Sequence, residues 1–133
     1  MGMFLKLFFL ALPTFLVIDL LWLGVLARSF YQAQLGPLMR PDVNWAAALA
    51  FYVIFVAGIV VLAVWPAVTS ESMKQAFALG ALLGLVAYAA YDLTNLATLE
   101  GFPLTMVLVD LVWGTLLTSA VSGITYWLWF VVN

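Results

Sequence analysis

Three aspartates, Asp19, Asp92 and Asp110, carry most of the chemistry that this sequence offers. Each falls inside a long apolar run, where an ionised carboxylate at the bilayer centre costs at least about 2.5 to 3.5 kcal/mol on the insertion scale, so each needs a partner or a purpose. No Lys or Arg lies within those runs to neutralise them. Burial and mutual repulsion both disfavour the charged form, so at least one of the three is expected to keep a proton unless a cation is bound.

The neighbours of these acids are polar or aromatic. In Tyr88-Ala89-Ala90-Tyr91-Asp92-Leu93-Thr94-Asn95, spacings of three and four place Tyr88, Asp92 and Asn95 on one helix face. Gly80 and Gly84 continue that stripe as a Gly-x-x-x-Gly pair, which lets a second helix approach closely. Trp22 follows Asp19, and Trp113 follows Asp110, by three residues in the matching runs Ile18-Asp19-Leu20-Leu21-Trp22 and Val109-Asp110-Leu111-Val112-Trp113. Each indole is thereby one turn from an acid, where its N–H bonds a carboxylate or both groups line one cavity. The candidate ligand-binding set is Asp19, Trp22, Tyr88, Tyr91, Asp92, Thr94, Asn95, Asp110 and Trp113. Aromatic faces beside carboxylates suit a cation through cation–π attraction. With no His and no Cys, a Cys/His zinc site and thiolate chemistry are excluded; no metal site and no catalytic residue are assigned, and the cofactor is left unknown.

The elements that must hold these residues are membrane spans. At 68% hydrophobic and 8% charged, the 133 residues cannot tile a water-soluble surface. Four runs meet the roughly 20 residues that a spanning helix needs: about 7–27, 45–65, 76–97 and 104–130. The fold expected is an all-α integral membrane protein, one domain over 1–133, with four transmembrane helices in an up-and-down bundle. The first run is too long for a signal-peptide core and carries an acid in its middle, so it reads as a span. Pro66 is expected to stop the second span. In the first loop, Ser29 to Leu35 ahead of Gly36-Pro37 reads as either a short interfacial helix or a plain loop. Trp45, Trp65, Trp127 and Trp129 fall at span ends, as interface anchors do.

Counting at 1.5 Å per residue, Asp19 lies about 12 Å from Ala27, Asp92 about 9 Å from Thr98 and Asp110 about 10 Å from Pro103. Those three helix ends share one side of the membrane, so the acids share one depth. Lys6 and Lys74 face one side and Arg28 and Arg40 the other, so positive charge gives almost no orientation. That balance is also what an antiparallel homodimer of dual topology requires.

The runs Asp-Leu-Leu-Trp-Leu-Gly (19–24), Ala-Tyr-Asp-Leu-Thr-Asn-Leu-Ala-Thr (90–98) and Val-Asp-Leu-Val-Trp-Gly-Thr (109–115) resemble a family of bacterial membrane proteins, domain of unknown function 2177. The resemblance covers essentially the whole chain and implies a four-span protein of the bacterial inner membrane; it supplies no activity. From the residues themselves, the leading expectation is a polar pocket that binds or transports a proton, a cation or a small cationic molecule. The alternatives are a membrane-embedded enzyme or accessory subunit for lipid modification, and a structural subunit of a larger complex. Membrane lipids are the expected partners, with a homodimer compatible with the charge balance. The net charge of −2 and the lack of a basic patch argue against nucleic acid.

Overall fold

The computed structural model describes residues 2–133. Four helical stretches are long and apolar enough to cross a membrane: Met3–Leu26, Trp45–Thr69, Met73–Thr98 and Leu104–Val132. The all-helical, multi-span architecture expected from hydropathy is thus present. The first stretch is α1 (Met3–Leu21) followed by a widened π turn, Trp22–Leu26, in which the Ala27 N–H reaches back to the Trp22 carbonyl at 2.8 Å. A short helix, α2 (Arg28–Leu35), follows and is ended by Gly36, whose φ of 52° is one that glycine adopts without strain. The first loop therefore contains the helix rather than a plain coil.

The second stretch is α3 (Trp45–Ile59), a second π turn (Val60–Val64) and α4 (Trp65–Thr69). Pro66 does not stop this span, contrary to the sequence expectation. An interior proline clashes with the carbonyl four residues back and leaves it without a donor. Here the chain is widened one turn earlier, where the Trp65 N–H bonds Val60, so the ring is accommodated and the helix runs on to Thr69. The last two stretches are α5 (Met73–Thr98) and α6 (Leu104–Val132). Asn44 and Ser72 cap α3 and α5 through their side chains, bonding Ala47 N–H at 3.2 Å and Gln75 N–H at 3.1 Å. The first turn of α1 meets the end of α6: Lys6 bonds Asn133 at 3.2 Å and lies over the Trp129 ring.

Lipid tails are as apolar as leucine, so helix association here depends on close packing and interhelical hydrogen bonds. The tightest pair is α5 with α6. A side chain at Gly84 would run into the Gly114 carbonyl, and one at Gly80 into Thr118 and Ser122. Ser119 adds a cross-helix bond to the Phe77 carbonyl at 2.9 Å. The bundle is divided along its length. Toward the chain ends the core is aliphatic, with Leu7, Ala11, Val56, Ile59, Val60 and Val64 fully buried. Phe15, Tyr52 and Phe55 form an aromatic layer above it, with edge-to-face centroids 5.7 to 5.8 Å from Phe15. Beyond that layer, on the side of the first and third loops, lie the acids.

Candidate functional site

All three aspartates are withdrawn from the exterior: Asp19 is 4%, Asp92 0% and Asp110 7% exposed. They come from three helices, α1, α5 and α6. Asp92 on α5 packs against Asp110 on α6, and neither Asp92 oxygen has a hydrogen-bond partner of ordinary geometry. Asp19 on α1 stands apart from that pair, with the Trp113 indole nitrogen turned toward it. Tyr88 lies within electrostatic reach of all three acids, Asp19 foremost. The glycine stripe explains this position, because the Tyr88 ring packs directly on Gly114, where any side chain would overlap it. All four Lys and Arg side chains are exposed, and Arg40 turns to the Asp42 carbonyl instead of toward the acids.

Trp22 and Trp113 stack with centroids 4.2 Å apart and planes at 11°. The Trp22 N–H donates to the Tyr31 hydroxyl at 3.1 Å, and that hydroxyl donates to Asp110. Tyr31 arrives from α2, which packs Phe30, Tyr31 and Leu35 against Phe102, Met106 and Val107 at the start of α6. Burial first, and the Asp110 hydrogen bond second, hold the Tyr31 phenol well above the ordinary tyrosine range, so it remains a donor at neutral pH.

Of the residues singled out in the sequence, Asp19, Trp22, Tyr88, Asp92, Asp110 and Trp113 are brought together. Tyr91 is half exposed and packs edge-to-face on Phe102 while lining a groove that ends at Asp110. Asn95 lies beside Tyr91. Thr94 does not join them at all: it is exposed, and its hydroxyl bonds carbonyls of its own helix. Two residues that sequence reasoning passed over, Tyr31 and Tyr52, line the chamber of about 220 Å³ together with Asp19, Asp110, Tyr88 and Trp113. A chamber lined by two carboxyls from different helices and by several aromatic rings can hold a compact cation by charge and by ring faces together. Among the described residues no group of three His, Cys, Asp or Glu side chains is arranged to hold a metal ion.

The profile of the predicted membrane protein family, domain of unknown function 2177 (DUF2177), matches residues 4–127. The chain belongs to that family. Its match takes in all three acids and both stacked tryptophans, so the chamber of this DUF2177 member lies wholly within the family domain. No curated protein and no solved structure matches the chain.

Proposed function

We propose that this multi-pass protein resides in the bacterial inner membrane, binds a small monovalent cationic molecule between Asp19 and Asp110, and exchanges it for a proton held by the Asp92–Asp110 pair. The observation that carries this reading is that pair: two adjacent carboxyls, one with no hydrogen-bond partner of ordinary geometry, opening through Asp110 onto a chamber lined by aromatic rings. Two neighbouring carboxyls shielded from water do not both ionise without a counter-charge. A cation seated against Asp110 supplies that charge, and the displaced proton leaves to water. Linkage then works in both directions, with acid weakening cation binding and cation binding releasing acid.

A purely structural use of the acids is less well supported, since interhelical side-chain bonds in membranes average only about 0.6 kcal/mol and Asp92 makes none of ordinary geometry. Titration of the reconstituted protein with tetramethylammonium, followed by the fluorescence of the Trp22–Trp113 stack, tests the reading. Saturable binding is expected, weakened at least about tenfold, or ~1.4 kcal/mol, in both Asp19→Asn and Asp110→Asn. Binding equal in wild type and both variants overturns it.

A further inference from the structure

The chamber is not closed toward the lipid. A second cavity of about 450 Å³, lined by Phe51, Phe55, Ala87, Tyr88, Tyr91 and Asp110, shares Phe51, Tyr88 and Asp110 with the first. It exists because the second span leaves α5 along half of its length: α3 packs on α1, while the π turn Val60–Val64 and α4 pack on α5. The result is a groove between α3 and α5 at the depth of the acids. Its outer lips are the rings of Phe51, 45% exposed, and Tyr91, 56% exposed, and its inner end is the Asp110 carboxyl.

A groove that is apolar along its walls and acidic only at its end matches one class of occupant in charge and in polarity. We infer that the cation taken by this site is an amphiphile that enters sideways from the bilayer, its chain lying between α3 and α5 and its cationic head between Asp19 and Asp110. The inference rests on the cation-binding reading above and specifies its ligand class. An acyl chain without a cationic head would leave the buried carboxyls uncompensated, and an anionic head would add to their repulsion. A fully hydrated inorganic ion gains nothing from Phe51, Phe55 and Tyr91 along the path.

Ala87 lines the groove and not the chamber, so filling it separates this inference from the reading it rests on. Dodecyltrimethylammonium and tetramethylammonium are titrated against the protein in lipid nanodiscs, using wild type, Ala87→Leu and Ala87→Phe. The near-ultraviolet dichroism of the tryptophan stack confirms folding in each variant. Partitioning of the long-chain cation into lipid is the same for all three proteins, so only the ratio between them is read. The expected result is a loss of about tenfold or more in long-chain binding on filling the groove, graded from Leu to Phe, with tetramethylammonium binding changed less than about twofold. Equal binding of the long-chain cation to all three proteins overturns lateral entry and leaves the cation site standing. Absence of binding by either cation in wild type overturns both. Equal competition by uncharged dodecyl maltoside shows a lipid seat, and a change of oligomeric state on filling the groove shows a second copy there; either outcome also overturns the inference.

Discussion

Trp22 and Trp113 lie face to face with ring centroids 4.2 Å apart, and each indole nitrogen lies on the side of the other helix's acid, although the Trp113 nitrogen makes no hydrogen bond. Trp22 reaches Asp110 through the Tyr31 hydroxyl, and Trp113 is turned to Asp19. The two Asp-x-x-Trp units thus cross over each other, and the stack is the joint that holds α1 and α6 at the level of the acids. Replacing either tryptophan with phenylalanine is expected to abolish the exciton couplet in the circular dichroism spectrum. The expected cost is about 0.5 to 1.5 kcal/mol of aromatic pairing. Survival of the couplet in either variant means the rings are not stacked.

Among the described residues, Tyr31 is the only link from α2 into the chamber that donates to an acid. Tyr31→Phe leaves Trp22 N–H and Asp110 each short of a partner, and a loss of about 1 to 3 kcal/mol is expected in thermal unfolding in detergent. The sign of the pH dependence follows from the raised phenol. The folded state holds this proton more tightly than the unfolded chain does, so the contribution is complete below the ordinary tyrosine value of about 10 and falls as pH rises beyond it. Comparing unfolding of wild type and Tyr31→Phe on both sides of that value checks this: their difference in stability narrows at alkaline pH.

The α5–α6 seam gives a steric prediction. Gly84→Ala places a methyl against the Gly114 carbonyl, which is backbone and cannot rotate away. Overpacking of this kind costs about 1 to 3 kcal/mol. Gly58→Ala, where no atom lies near the added methyl, is expected to be neutral or slightly stabilising, because a helix-interior glycine costs about 0.5 to 1 kcal/mol relative to alanine. Thermal unfolding of the two variants side by side shows whether the close approach is real.

The bundle and the depth of the acids were legible in the sequence because both follow from counting. Hydropathy gives the spans, and helical rise sets Asp19, Asp92 and Asp110 at one level. What counting cannot give is which face meets which. Tyr31 is 79 residues from Asp110 and sits in a loop segment, so no spacing rule connects them. Its only local signal is the apolar face of Phe30, Tyr31 and Leu35 on what proved to be a helix. Thr94 was included through its motif, although two residues from Asp92 is about 200° around a helix and points it away. Pro66 misled for a different reason: its local rule is sound, but the π turn before it removes the clash.

Opposite placement of the second and third loops follows from four spans. With no native cysteine, Glu71→Cys and Glu100→Cys are free of background, and an impermeant maleimide is expected to reach them from opposite sides of the membrane. Labelling of both from a single side in every molecule contradicts the four-span arrangement, while labelling of each from both sides shows dual topology.

Exchange of a cation for a proton is tested most directly by the infrared difference spectrum of the reconstituted protein when tetramethylammonium is added at neutral pH. Loss of a protonated-carboxyl band is predicted, accompanied by acid release into a weakly buffered medium, with both signals removed by Asp92→Asn and by Asp110→Asn. A carboxyl band that those substitutions remove but that no cation alters contradicts the account, because the shared proton then serves only to hold α5 and α6 together.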